Sequence, residues 1–476
     1  ARIILSWPCG TRKSRFALGK QGPRGLPVNP GVLIIRPDMV TYRASTMREV
    51  NFAMIKVEGA GYREILKKRP LNVQALYGDE AVGLVSGRDI AEAAKEKGAI
   101  VLAANVRNPL TIKGLLRAAK KCSAVVLLEL AKSESTYCGC NFDNVPDYAL
   151  RYSAEMGHGV LFGLHVDHYG IKSREDLLKS ISHLRKIIER GWSSVAVDAS
   201  HNPDWENLCF TRDVAMHVPP YLGLEVEVGE IKGKGELSTV EEALFFVGGL
   251  NSWGIFPDYL AISNGSLHGT YDKAAGVEEG IDLVRTAEIA KAIAPYGVSI
   301  AQHGISGTPF DKVGHFVTAG INKGNVGTLW QNVVFGLKME SETGNAVLDG
   351  ESYVKEKDRG IPEGLWRELV AWADDQGMSR KSGDYKKANK PFHERIMALP
   401  DQVQERIVAE TEEWATRYIK AFNAEGLADV LMEKMVRRTD ENAAPDRAIL
   451  NSRREFSREK ALGLSQKETK KGDFSD

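Results

Sequence analysis

The chain of 476 residues is 43% hydrophobic and 26% charged, and its 63 basic side chains balance 63 acidic ones, for a formal net charge of zero. This composition is typical of a large globular protein, and the lack of a basic excess argues against a nucleic-acid-binding scaffold. Because no apolar run approaches the ~20 residues that span a bilayer, and five cysteines form no even disulfide framework, we expect a cytoplasmic protein that binds no membrane.

The two ends of the chain differ in composition from its centre. Residues 1–46 are basic and rich in Gly and Pro, and we interpret them as a flexible or misassigned extension that ends before Met47. Residues 47–98 form a lead-in segment that we expect to pack on the following domain. Residues 431–476 alternate in charge without a lasting apolar face, which predicts a disordered tail.

Short apolar runs alternate with amphipathic segments between these ends. The runs are bounded by Gly, Pro or polar residues, as buried parallel strands are. Amphipathic segments such as 174–191 and 280–297 predict intervening helices. Eight such units predict an α/β fold, namely a (β/α)8 TIM barrel over residues 99–343. The alternative is an open dinucleotide-binding sheet, but the G-x-G-x-x-G motif that would favour it does not follow the first run. The predicted strands are 99–104, 124–130, 160–166, 193–199, 221–228, 258–263, 297–302 and 320–328.

Ionisable side chains cluster where these strands end. A barrel gathers the carboxyl ends of its strands around one mouth, so three imidazoles with carboxylates nearby predict an open catalytic metal site. His165 and Asp167 should share one side of their strand, whereas His168 should face away unless the strand has ended. Glu227 is a candidate both for metal binding and for catalysis. The strand-end residues are Asp167, His168, Glu225, Glu227, His268 and His303.

Glycine-rich segments flank the same predicted mouth. HGISGTPFDK follows the seventh strand, and NVGT ends the eighth. Backbone N–H groups in such loops bind phosphate, and barrels favour the loops after strands 7 and 8 for this purpose. The sequence therefore predicts a phosphorylated ligand.

The motifs LHVDH, LEVEVG, NGSLHGTY, QHGISG and INKGNVGT resemble, in order and spacing, those of class II, metal-dependent fructose-bisphosphate aldolases. The resemblance implies that His168, His268 and His303 hold zinc, for which Co²⁺ can substitute, and that a monovalent cation can bind as well. It further implies a sugar phosphate as substrate and assembly into a homo-oligomer, either a dimer or a tetramer.

The resemblance also implies roles for individual residues. Asp167 would protonate the carbonyl-oxygen side of the cleavage. A second carboxylate is needed to move the proton at the triose carbon. Glu236 and Glu230 are the candidates, because the family has an acidic loop after strand 5 and this loop reads GEIKGKGE here. Substrate or phosphate contacts are implied for Asn105, Gly269, Gly304, Ser306, Asn325 and Thr328.

Two departures from the family pattern concern the distal half of the substrate. Ala131 aligns near a serine that touches the distal phosphate, and Gly327 replaces an aspartate. We expect a lyase of carbohydrate metabolism that cleaves fructose 1,6-bisphosphate to dihydroxyacetone phosphate and glyceraldehyde 3-phosphate. The alternatives are another sugar phosphate such as tagatose 1,6-bisphosphate, a metal hydrolase, a Schiff-base aldolase using Lys323, and a non-catalytic barrel partner subunit.

Residues 344–430 break the strand–helix rhythm and predict a helical extension. Two amphipathic segments within it predict helices, the second with an apolar face that includes Val403, Ile407 and Trp414. The basic segment GDYKKANKPFH between them makes Lys386, Lys387 and Lys390 candidates for contact with a distal phosphate.

Overall fold

The computed structural model describes residues 60–229, 237–266, 281–378, 383–438 and 447–464. Within these ranges, eight parallel strands close into a barrel in which each strand pairs with the next and the eighth pairs with the first. The predicted (β/α)8 fold is confirmed. The strands are β1 (Val101–Asn105), β2 (Val125–Ala131), β3 (Leu161–Gly170), β4 (Ser194–Asp198), β5 (Gly223–Val228), β6 (Tyr259–Ile262), β7 (Ser299–Gln302) and β8 (Ile321–Val326).

In the described residues before the barrel, the chain forms three helices: α1 (Ala60–Lys67), α2 (Leu71–Tyr77) and α3 (Gly87–Lys97). Helix α3 packs against β1, β3, β5 and β8 and so covers the amino-terminal ends of the strands. A Cβ atom at Gly87 would lie 2.4 Å from the Ser194 side chain, so this approach requires glycine. The described part of the lead-in segment therefore closes the face of the barrel opposite the predicted site. Residues 1–59, including the predicted extension 1–46, lie outside the described ranges.

Helices follow the strands, and capping side chains start several of them. Asn108 accepts a hydrogen bond from the backbone of the first turn of its helix, and Pro109 occupies the first helical position. Thr239 and Glu242 form a reciprocal capping box. The helices are α4 (Pro109–Lys121), α5 (Glu134–Tyr137), α6 (Asn144–Glu155), α7 (Arg174–Glu189), α8 (Asp204–Ala215), α9 (Val240–Ser252), α10 (Leu283–Ile293), α11 (Phe310–Val313) and α12 (Thr328–Phe335).

The segment after the barrel packs back onto it. A two-stranded antiparallel sheet consists of β9 (Leu348–Asp349) and β10 (Ser352–Tyr353), and helices follow it. The second of the two predicted helices packs along α4 with Ile407 and Trp414 buried and Val403 half-buried. No helix in the described ranges combines the length and apolarity needed to cross a bilayer. The helices are α13 (Glu363–Asp375), α14 (His393–Met397), α15 (Asp401–Ala421), α16 (Leu427–Arg437) and α17 (Arg458–Leu464).

The predicted disordered tail, 431–476, differs from the structure over residues 431–437, which complete α16, and over residues 447–464. Arg447 pairs with Asp258 at 2.9 Å, and the ring of Phe456 lies 5.6 Å from that of Phe245. These anchoring side chains are widely spaced and give no helical period, so the sequence pattern does not reveal them. Residues 439–446 and 465–476 lie outside the described ranges.

Candidate active site

Two histidines face each other at the carboxyl ends of β3 and β7. Nε2 of His168 lies 2.7 Å from Nδ1 of His303. The opposite ring nitrogens contact carboxylates: Nδ1 of His168 lies 3.3 Å from Oε2 of Glu227, and Nε2 of His303 lies 2.7 Å from Oε1 of Glu225. Metal-binding imidazoles commonly have their second nitrogen held in this way. The facing nitrogens are therefore at hydrogen-bond distance from each other, and they are the candidate ligand atoms of the two rings.

The side chain of His168 reaches that of His303 because β3 is irregular. The pairing of β3 with β4 shifts between Val166 and Tyr169, and His168 has a φ of 38°, in the left-handed region. Regular alternation would place Asp167 and His168 on opposite sides, as the sequence predicts for a continuing strand. The strand does continue, to Gly170, but the bulge re-aims one side chain. Possible ligand atoms of Asp167, His168 and His303 consequently all lie within 4.8 Å of one another.

Two amides hold the carboxylate of Asp167. Nδ2 of Asn105 donates to Oδ2 at 3.0 Å, and Nδ2 of Asn325 donates to Oδ1 at 3.1 Å. Burial alone would raise the pKa of Asp167, but the charges of His168 and Lys323 outweigh burial and lower it below its ordinary value. Asp167 is therefore an ionised carboxylate fixed at both oxygens.

A network of buried charges crosses the barrel interior. Nζ of Lys323 lies 2.8 Å from Oε2 of Glu225 and 3.2 Å from Oε2 of Glu129. Burial lowers the pKa of Lys323, but these carboxylates raise it overall. A Schiff-base lysine must become a neutral nucleophile within reach of its substrate. The protonated, fully buried Lys323 does not suit that role, which disfavours the Schiff-base alternative.

The loops after β7 and β8 meet beside the histidines. The backbone N–H of Gly327 donates to Oγ of Ser306 at 3.1 Å. Gly304 has a φ of 67°, a conformation that favours glycine, and Thr328 is the first residue of α12. Three of the predicted phosphate-binding residues, Gly304, Ser306 and Thr328, thus lie on the two loops that this hydrogen bond joins.

Glu227 lies on the far side of the His168 ring from His303. It forms a second group of possible ligands with His168 and Asp198, whose Oδ2 lies 3.8 Å from Nδ1 of His168. The structure therefore places Glu227 against the back of His168 and away from the nitrogens that face each other. The candidates Glu230, Glu236, His268 and Gly269 lie outside the described ranges.

Two residues at the mouth were missed by the sequence interpretation. Arg107, in the loop after β1, donates from Nε to Oε1 of Glu134 in α5 at 2.6 Å. Oε2 of Glu134 accepts from Nδ2 of Asn105 at 3.2 Å and from the backbone N–H of Ala131 at 3.1 Å. Arg107 and Glu134 follow closely on strand ends, and this position in the sequence could have identified them as candidate site residues. The same is true of Asp198, which ends β4.

The predicted basic segment approaches the loop after β2 of its own chain. Nζ of Lys386 lies 5.7 Å above the ring of Tyr137, and Nζ of Lys390 donates to the carbonyl oxygen of Thr136 at 2.6 Å. Lys387 pairs with an aspartate on the same turn. A role of these lysines in phosphate binding stays a prediction.

Comparison with known proteins adds a family to this geometry. The chain matches the family model described as Fructose-bisphosphate aldolase class-II over residues 85–372. It is 31% identical over 256 residues to the fructose-bisphosphate aldolase of Streptococcus pyogenes serotype M1, covering 52% of this chain and 80% of that protein. For the Streptococcus pneumoniae serotype 4 fructose-bisphosphate aldolase, identity is 30% over 255 residues, with coverage of 52% and 80%. A solved fructose-bisphosphate aldolase structure from Campylobacter jejuni is 18% identical, with a TM-score of 0.47 and coverage of 72% and 97%.

Proposed function

This chain belongs to the class II fructose-bisphosphate aldolase family, whose members are metal-dependent lyases of carbon–carbon bonds, and we propose that it is a zinc-dependent aldolase of ketose phosphates. Dihydroxyacetone phosphate is one product of the proposed cleavage. The substrate that we expect first is fructose 1,6-bisphosphate, because the relatives of this chain are named fructose-bisphosphate aldolases. The observation that carries the proposal is the facing pair of ring nitrogens of His168 and His303 beside Asp167.

The donor set fits a divalent cation such as zinc. Burial lowers the pKa of His168, yet Asp167 and Glu227 raise it well above its ordinary value overall, so the site favours added positive charge. His168 and His303 would hold the ion together with His268. When bound, the ion supplies a Lewis acid that polarises the substrate carbonyl. The predicted monovalent cation stays a prediction.

Asp167 is the residue that we propose moves the proton of the aldehyde half. In the cleavage direction an ionised carboxylate accepts the proton of the hydroxyl whose carbon becomes the aldehyde, and in condensation it returns that proton. Asn105 and Asn325 orient it. Glu236 or Glu230 would move the proton at the triose carbon.

The loops joined by Ser306 and Gly327 would hold the triose phosphate. Backbone N–H groups near Gly304 and at the start of α12 supply donors of the kind that bind phosphate, and Thr328 adds a hydroxyl. Gly269 would complete this site as the family resemblance implies.

A second candidate is the same reaction on another sugar phosphate. The observation that favours it is the ion pair of Arg107 and Glu134, which lies at Ala131, where the family has a distal-phosphate serine. A non-catalytic partner subunit has less support, because histidines already paired with orienting carboxylates serve no evident purpose in it. Assembly into a dimer or tetramer and a cytoplasmic location stay predictions.

Zinc content and turnover, measured together, test the proposal. Wild-type protein should hold zinc and cleave at least one ketose phosphate among fructose 1,6-bisphosphate, tagatose 1,6-bisphosphate and fructose 1-phosphate. His303→Ala should lose zinc and turnover, whereas the control His217→Ala, at an exposed histidine beside Arg185, should keep both. Active protein without metal, combined with borohydride trapping of a substrate-bound lysine, would overturn the proposal.

A further inference from the structure

A buried ion pair lies next to the proposed acid–base residue. Arg107 is 8% exposed and Glu134 is 3% exposed, and they join at 2.6 Å. Glu134 accepts from three donors, the guanidinium of Arg107, the amide of Asn105 and the backbone N–H of Ala131. Its carboxylate is therefore a fixed negative charge whose hydrogen-bonding capacity is largely used within the protein.

Asn105 connects this pair to Asp167. Its Nδ2 donates both to Oε2 of Glu134 at 3.2 Å and to Oδ2 of Asp167 at 3.0 Å. The two carboxylates are thus separated by a single amide group. Because Asp167 is proposed to handle the oxygen that becomes the aldehyde, Glu134 lies on the aldehyde side of the reacting bond.

The guanidinium of Arg107 also lies against the position of Gly327. A Cβ atom there would lie 3.0 Å from Oδ1 of Asn105 and 3.2 Å from Nη2 of Arg107. Both contacts are tighter than ordinary van der Waals separations, so a larger residue would press against the arginine. Arg107 therefore lies over the end of β8, where the family has an aspartate.

Resting on the proposed aldolase function, we propose that Glu134 is a specificity-determining residue that abolishes the preference for a phosphate on the aldehyde half. A phosphate entering beside Asp167 would meet the carboxylates of Asp167 and Glu134, and the guanidinium of Arg107 is already paired with Glu134. An uncharged hydroxyaldehyde meets no such repulsion. The substrate class of this enzyme then includes ketose 1-phosphates as well as ketose bisphosphates.

The reaction itself is unchanged by this selection. In condensation, a carbon of dihydroxyacetone phosphate loses a proton and bonds to the aldehyde carbon, and the aldehyde oxygen gains a proton. Only the group beyond the aldehyde differs.

The test is the ratio of kcat/KM for glyceraldehyde 3-phosphate to that for glyceraldehyde, each condensed with dihydroxyacetone phosphate. For wild-type enzyme the ratio should lie within about tenfold of one. Glu134→Gln keeps the shape, removes the charge and frees Arg107 to bind phosphate, so it should raise the ratio at least about tenfold, mainly through KM of the phosphorylated aldehyde. The double variant Glu134→Gln/Arg107→Met should lose this gain. The control Glu405→Gln removes an exposed carboxylate that pairs with Arg117, and it should leave the ratio unchanged.

An active Glu134→Gln enzyme with an unchanged ratio would overturn the inference, as would a wild-type ratio above about ten. If Glu134→Gln does not fold, Arg107→Met tests the inference instead. Without Arg107 the carboxylate of Glu134 loses its ion-pair partner and should lower the ratio below that of wild type. An unchanged ratio in this variant contradicts the inference. Failure of wild-type, zinc-loaded protein with both aldehydes contradicts the aldolase proposal instead.

Discussion

Lys323 and Glu225 form an ion pair of 2.8 Å across the barrel interior, with side chains 0% and 1% exposed. The other oxygen of Glu225 contacts Nε2 of His303 at 2.7 Å, so the pair also orients a proposed zinc ligand. Removing one partner of a buried pair leaves an uncompensated charge, which typically costs ~3–5 kcal/mol.

Lys323→Met should therefore lower the free energy of unfolding by about 3 kcal/mol or more and weaken zinc binding about 10–100-fold. Urea denaturation and competition with a zinc-chelating dye measure the two effects. Lys179→Met, which breaks an exposed pair with Glu175, is the control and should change neither. A Lys323→Met protein with wild-type stability and zinc affinity would contradict this account of the network.

The roles proposed for adjacent residues of β3 can be separated by metal content. Asp167→Asn keeps the side-chain shape, so zinc should remain while kcat falls by about 10²–10⁴-fold. His168→Ala should lose zinc. Elemental analysis of both variants checks this prediction, and equal loss of zinc from both would make Asp167 a ligand.

The phosphate-binding assignment can be tested with the donor substrate. Replacing dihydroxyacetone phosphate by dihydroxyacetone leaves buried donors unpaired, at a typical cost of ~1–3 kcal/mol per group. The value of kcat/KM for condensation should therefore fall by at least about tenfold. Equal values for the two donors would mean that the loops after β7 and β8 are only turns.

Glu410 on α15 makes stability depend on pH. Burial raises the pKa of this carboxyl from its ordinary 4.5 to about 7, against the lowering effect of Arg359 at 3.5 Å. The folded state thus favours the protonated form, so the contribution to stability is complete below pH 4.5 and is lost as pH rises through about 7. The loss is on the order of 3 kcal/mol.

Glu410→Gln should therefore unfold at higher urea concentration than wild type at pH 8, with the difference shrinking toward pH 4. Glu405→Gln, at an exposed position of the same helix, should show no comparable trend. A Glu410→Gln protein less stable than wild type at pH 8 would show that the ion pair with Arg359 outweighs burial.

The contact between α4 and α15 depends on Gly114. A Cβ atom there would lie 2.5 Å from Cβ of Thr411 and 2.6 Å from the carbonyl oxygen of Val408. Gly114→Ala should therefore destabilise the protein by about 1–3 kcal/mol, although alanine favours helices. Gly364→Ala is the matched control, because nothing lies within 4 Å of its Cβ position, and it should be neutral or slightly stabilising. Thermal unfolding of both variants measures the difference. Equal melting temperatures would show that α15 can shift to accommodate the added methyl group without loss of stability.

The sequence by itself determined the barrel and most of the strand-end chemistry. Buried parallel strands read as short apolar runs, and their carboxyl ends meet at one mouth. Strand order alone therefore predicts that Asp167 and His303 come together, and the structure places them at the same mouth. Asn325, which only the family resemblance implied, contacts Asp167 there. Local patterns suffice here because strand spacing and alternation are properties of neighbouring residues.

Only the tertiary structure decided how individual side chains meet. The bulge that turns His168 toward His303 depends on the pairing of β3 with β4, and a period of two in the sequence cannot show it. The pair of Arg107 and Glu134 joins loops of two different strands, and Arg447 reaches Asp258 across 189 positions of sequence. Charges pair according to distance in space, which the fold sets and the local pattern does not contain.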